Sequence, residues 1–243
     1  MLRKHILFTT LLSITVLVSG CGLSDASEAT EDGKEIVAVL QEKYDTDFEA
    51  THVKRSKDAF QFWMIPKEQP NDTFTAVWDR ETNKMRGDGY LERMFGRTIN
   101  NTVRGYLEQE GLEGETTIVT TKLDESLYDT YRAESNIHMS IGEYVEKFKP
   151  EYIITQMIVK DNGNITPETF NSVITNMYKE TLNTVYEARI FVIKEKDFEK
   201  VKKDFIKNTD PGTEDYFEHM VSELAVVYDA NGFNGMTEHT YKD

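Results

Sequence analysis

"AFQFWMIP" at 59–66 and "TFTAVWDRE" at 73–81 are the two stretches on which the fold turns. The second alternates Phe74, Ala76 and Trp78 with more polar neighbours, the period of a half-buried strand. The first is apolar at nearly every position and stops at Pro66. It reads as a strand with both faces covered, or with one apolar face left for a partner. "KEQPNDT" between them supplies Pro70, Asn71 and Asp72 for a connection, and its seven residues are long for a tight hairpin. The expectation is an antiparallel pair that puts Trp63 and Trp78 in one sheet. At least one indole should then be buried by the helix that follows.

That helix is the segment 90–110, where Leu91, Met94, Phe95, Ile99, Val103, Tyr106 and Leu107 recur at helical spacing and Gly111 and Gly114 end the run. Before the two strands, 34–44 carries Ile36, Val37, Leu40 and Tyr44 on one helical stripe, and 47–55 reads as a strand with Phe48, Ala50 and His52 on one face and Val53 on the other. "RETNK" at 80–84 is a polar turn, and "TTIVTTKL" at 116–123 is a strand rich in β-branched residues. The first unit, 34–123, therefore reads helix, three strands, helix, strand. Its opening is similar in outline to the small PepSY-type domains of exported bacterial proteins. No residue motif accompanies that outline, and no function is carried over from it.

Residues 124–139 are polar and form a boundary. From 140 to 243 a second unit is expected. Ser140 and Glu143 have capping-box spacing ahead of Ile141, Tyr144, Val145 and Phe148, and Pro150 closes the helix. A strand follows over 151–160. Thr166 and Pro167 then stand at the N-cap and first position of a helix whose stripe is Phe170, Val173, Ile174, Met177 and Leu182. A strand over 185–195, a helix with Phe198, Val201 and Phe205 inward, a turn at 210–215 and a strand over 222–229 complete it, with the last residues fraying. The fold class is α+β: antiparallel sheets packed with amphipathic helices, as two small lobes or one two-layered domain.

The N-terminus says where the chain lives. Arg3 and Lys4 precede an apolar run over 6–18, the layout of an export signal. The run falls short of the ~20 apolar residues of a comfortable membrane span. "Val18-Ser19-Gly20-Cys21" resembles the lipobox of bacterial lipoproteins, and Cys21 is the one cysteine in the chain. The resemblance implies that the thiol of Cys21 receives a diacylglycerol and that a lipoprotein signal peptidase cuts between Gly20 and Cys21. Residues 1–20 are then a signal peptide. Residues 21–33, small, polar and acidic, are expected to be a disordered tether. With a single thiol no intramolecular disulfide forms, so the exported domain rests on its own core. Thirteen Phe and twelve Tyr supply one. The Lys, Ile, Asn and Thr content, with five prolines, resembles that of low-GC Gram-positive chains.

The formal net charge is −15. Cleavage after Gly20 removes Arg3 and Lys4 and no acid, which makes the mature chain two charges more negative still. That charge argues against nucleic acid and against spreading on anionic lipid, and it suits a cationic partner.

Motifs that carry chemistry are few. The five histidines have no metal-ligand spacing, and His219 in "EHMVSE" reads as a surface residue. No Gly-x-Ser-x-Gly, Walker or Gly-x-Gly-x-x-Gly pattern occurs. Arg86-Gly87-Asp88 resembles an integrin-binding triplet, but a turn with Asp88 beside a helix N-terminus accounts for it. "DNGN" at 161–164 and "DANGFNG" at 229–235 are oxygen-rich, yet lack EF-hand spacing and read as turns. No catalytic residue, cofactor site or metal site is singled out. The expectation is a membrane-anchored lipoprotein on the extracytoplasmic face of the cell membrane, held through Cys21, that binds a protein or ligand; one form is an immunity or adaptor protein facing a basic toxin. An envelope hydrolase acting on glycan or peptide is the alternative, and it requires a pocket with converging carboxylates. A solute-binding transport component is a third, for which the chain is short.

Overall fold

The computed structural model describes residues 23–121, 123, 125–207 and 213–241. The signal segment, Gly20 and Cys21 lie outside the described residues. The fold is α+β, with one four-stranded and one five-stranded sheet.

Helix α1, Leu23–Tyr44, begins eleven residues ahead of the expected start. The segment read as a tether is thus helical from Leu23. Its Ala and Glu content favours a helix, and Gly33 lets the helix settle on the sheet: a Cβ there would lie 3.3 Å from the Phe62 ring. From Gly33 onward Ile36, Leu40 and Tyr44 are buried, as the stripe requires.

The first sheet is an antiparallel meander of β1 (Phe48–Arg55), β2 (Ala59–Pro66), β3 (Phe74–Asp79) and β4 (Lys84–Asp88), in that order. Phe60 pairs with Trp78 and Trp63 with Thr75, so the two tryptophans do share a sheet on adjacent strands. They point to opposite faces. Phe60, Phe62, Met64, Phe74, Ala76 and Trp78 face inward under α1, with the Trp78 Nε1 donating to Asn83 Oδ1 at 3.1 Å. Trp63 stands half-buried on the outer face, its ring 4.9 Å from that of His52. His52 was expected on the side of Phe48. A bulge between Ala50 and His52 resets the alternation, so Val53 packs toward the core instead. Strand β4 is an addition to the three expected. Lys84–Asp88 has one apolar side chain, Met85, and as an edge strand it needs no alternating pattern.

Helix α2, Tyr90–Gln109, connects the two sheets. Tyr90 and Met94 belong to the first core, and Leu91, Phe95, Ile99, Val103 and Leu107 to the second. Strand β5, Gly114–Thr121, pairs with β6, Tyr152–Lys160, and so belongs to the second sheet, not to the first unit as the sequence suggested. The change of sheet comes at α2 and not in the polar segment 124–139. That segment holds the short helix α3, Tyr128–Ala133.

The second sheet runs β5-β6-β7-β8-β9, with β7 at Val185–Ile193, β8 at Met220–Asp229 and β9 at Gly232–Thr240. All its pairs are antiparallel except β6–β7, which is parallel and bridged by helix α5, Asn171–Glu180. A parallel pair needs such a crossover. Helices α2, α4 (Ile141–Phe148) and α5 supply one core, while α6, Phe198–Lys207, covers Ile158, Phe191 and Ile193 on the opposite face. The capping box forms: Glu143 N donates to Ser140 Oγ at 3.2 Å and Ser140 N to Glu143 Oε2 at 2.8 Å. Strand β9 replaces the expected fraying end. Asn231 N donates to Asp229 Oδ1 at 2.7 Å in the turn, Gly232 takes φ +99°, and Phe233 packs on the core.

Trp78 is 3% exposed. Trp78→Ala should therefore cost ~3–5 kcal/mol, and Trp63→Ala about 1 kcal/mol, in urea denaturation followed by far-UV circular dichroism. Equal costs would contradict this packing.

Candidate functional site

On α2 a polar stripe stands beside the two apolar ones. Arg93, Arg97, Asn100 and Arg104 sit at i, i+4, i+7 and i+11, which at 3.6 residues per turn keeps all four within about 60° of one another. The stripe faces a cleft of about 510 Å³ walled by the connection 68–72 on one side and by Glu115, Thr116 and Thr117 of β5 on the other. A second cleft of about 430 Å³ adjoins it at Glu68 and Gln69, with Tyr90, Met94 and Ile137 beneath and His138 and Asn136 beside them. Both have the size of ligand sites. Together they form a groove along the seam between the sheets.

The first cleft is rich in fixed charge. Asp72 receives two arginines: Arg97 Nη1 donates to Oδ2 at 3.1 Å, and Arg93 Nε lies 3.4 Å from Oδ1. Arg104 grips the buried carboxylate of Glu115 with Nε at 2.9 Å and Nη2 at 2.7 Å. Asn100 donates through its amide to Thr117 O at 2.7 Å and accepts from Thr116 Oγ1 at 3.1 Å. Gln69 differs. Its Oε1 is buried with no hydrogen-bond partner among the described residues. A hydrolase of the glycan-cleaving kind asks for two facing carboxylates as acid and base; here the shielded carboxylates Asp72 and Glu115 each face guanidinium groups.

Asp88 fixes the far end of the groove. Its side chain is 1% exposed and accepts from Lys43 Nζ at 2.9 Å, Tyr44 Oη at 2.8 Å and Tyr90 N at 3.0 Å. Lys43 Nζ also donates to Arg132 O at 2.8 Å. The acid of the Arg-Gly-Asp triplet is therefore turned inward at the start of α2, where an anion suits the helix dipole. Arg86 is spent on Asp58 and Asp79, at 2.9 and 2.7 Å.

The remaining sequence motifs resolve as local structure. In 161–164 Gly163 N donates to Asp161 Oδ1 at 2.8 Å and Asn164 N to Asn162 Oδ1 at 3.0 Å, both turn bonds. His219 lies beside Asp197, and His239 beside Tyr241. Among the described residues no cluster of His, Cys, Asp or Glu is suited to hold a metal ion, and no helix is long and apolar enough to cross a membrane. The arginine stripe was the feature that sequence reasoning passed over. Its signal was there: α2 carries three arginines on one sector and no lysine.

No protein-family model matches the chain, and no curated protein matches it. Among solved structures, the crystal structure of a DUF5037 family protein from Ruminococcus gnavus ATCC 29149 is similar, with a TM-score of 0.60 and 17% identity over 83% of this chain and 94% of that one. A likeness of that extent shows a shared fold.

Four tyrosines around these cores are held neutral. Burial, then the Asp88 carboxylate, pushes the Tyr44 hydroxyl far above its ordinary range. Burial likewise raises Tyr131 and Tyr186, and pushes Tyr144 up to about 12. A raised phenol pKa stabilises the fold below the unfolded value of about 10, and that stability is lost as pH climbs past it. Phenolate absorbance should show a group of tyrosines that ionises only together with unfolding above about pH 11. Smooth ionisation of all twelve in the folded protein would contradict the burial.

Proposed function

We propose that the protein is a lipoprotein anchored through Cys21 on the extracytoplasmic face of the cell membrane, and that it works by binding a ligand or partner in the seam groove. The structural observation that carries the binding role is the groove itself. Two ligand-sized clefts adjoin at Glu68 and Gln69, alongside the one helix that packs on both sheets. Their walls come from six separate segments, 44–46, 66–72, 90–104, 115–117, 135–138 and Ile206, and a site built on packed elements is held in shape. The anchoring half rests on the Val18–Cys21 sequence, the apolar run before it and the acidic segment after it.

The position of α1 bears on how the body is carried. Helix α1 begins at Leu23, so an anchor on Cys21 would lead into the body through this helix. Two or three acyl chains on Cys21 would give stable attachment, where one gives only reversible binding.

Cells producing the Cys21→Ala variant and labelled with a fatty-acid analogue should show no label on the protein, and the protein should leave the membrane fraction. A variant that still carries label and still sediments with membranes would refute the anchor.

A further inference from the structure

We infer that the arginine-lined half of the groove binds a small organic anion: a phosphate- or carboxylate-bearing molecule that also carries a hydroxyl or amide donor. This names the ligand class for the binding role proposed above and rests on it. The central observation is a pair of anchored guanidinium groups beside a buried acceptor that has no donor among the described residues. Arg93 and Arg97 share one carboxylate, that of Asp72, which leaves one positive charge in the cleft unmatched by that pair. Arg104 is matched by Glu115. Glu68, at the shared rim, supplies the third carboxylate of the lining. The cleft thus sets three guanidinium groups against three carboxylates, and what it offers an anion is placed donors, not net charge.

The donors set the ligand's chemistry. The Arg97 side chain is 43% exposed and the Arg104 side chain 41%. Arg97 commits Nη1 to Asp72, and Arg104 commits Nε and Nη2 to Glu115. Each guanidinium has five N–H groups in a fixed fork, so each keeps donors for a second oxyanion. Such a fork matches carboxylate or phosphate oxygens in pairs. Because Asp72 and Glu115 already fix the two guanidinium groups, binding immobilises little more than the ligand, which favours affinity. At the end of the stripe the buried Gln69 Oε1 lacks a donor among the described residues. An unsatisfied buried acceptor is costly, and a ligand hydroxyl or amide placed over Gln69 would relieve it. The anionic group then sits at Arg97 and Arg104, and the neutral body extends toward Tyr90, Met94 and Ile137.

Glucose 6-phosphate, glucuronate and glucose distinguish the cases. They share a hydroxylated ring and differ in carrying a phosphate, a carboxylate or no charge. Titration calorimetry on the full chain in detergent should show one site for at least one of the two anions and none for glucose. Which anion binds decides between phosphate and carboxylate. Arg97→Gln should weaken that binding about tenfold, the loss of one charge-assisted hydrogen bond. Gln69→Leu should weaken it as well, since it removes the acceptor that the ligand donor meets. Both positions are partly exposed, and unchanged thermal melts of the free variants confirm that they fold. Binding of neither anion, equal binding of glucose, or anion binding unaffected by both substitutions overturns the inference. Fatty-acid labelling at Cys21 is read independently, so those results leave the anchor standing.

Discussion

One helix has to satisfy two sheets. α2 gives Tyr90 and Met94 to the core of the first sheet and Leu91, Phe95, Ile99, Val103 and Leu107 to the core of the second. A helix with one apolar stripe can turn its back to water, and α2 cannot do so along its first turns. Its N-terminal end is clamped from both sides. The Tyr90 ring meets those of Tyr44, Phe48 and Phe74 at 5.0 Å each, and Phe95 stacks on Tyr144 at 3.5 Å. Ile137, from the segment between the sheets, packs against both cores. Two sheets that share no strand are in this way made one body.

The groove follows from that arrangement. With two sectors of α2 taken by apolar contacts, the sector left over is polar, and it opens into the angle between the β2–β3 connection and β5. Arg93, Arg97 and Arg104 tie the helix to both walls, to Asp72 on one and Glu115 on the other. The same ion pairs brace the walls and set the guanidinium groups in place. Asp88 does the equivalent work at the helix start, gathering α1, α2 and, through Lys43, the end of α3.

Much of the framework was legible in sequence because its signals are local. Alternation in 73–81, the Ser140–Glu143 box and the β-branched runs at 151–160 and 185–195 become the expected elements, whereas the Thr166-Pro167 start opens a 3-10 turn over Pro167–Phe170 ahead of α5, and Leu182 of the expected stripe lies beyond that helix, exposed. What escaped depends on distant residues. Strand β5 has the same composition whichever sheet it joins, and only its register with β6 decides. β4 and β9 are edge strands whose polar, glycine-bearing sequences carry no period. The bulge at Ala50–His52 inverts a face that simple alternation would assign. The arginine spacing on α2 can be read from sequence alone, but its meaning depends on Asp72 and Glu115, twenty-odd residues before and eleven after. The lipobox reading concerns residues outside the described part of the chain, and it rests on sequence alone.

The central claim is that α2 makes the two sheets unfold as one, and the chain offers a direct test of it. Both of its tryptophans lie in the first sheet, so their emission reports on that sheet. Ile190 lies at the centre of β7 in the second core, fully buried. Ile190→Ala should destabilise the protein by about 2–5 kcal/mol. In urea, the tryptophan-emission midpoint of this variant should fall together with the far-UV circular dichroism midpoint, in a single transition. An emission midpoint that stays at the wild-type value, while the circular dichroism curve splits into two steps, would contradict the account.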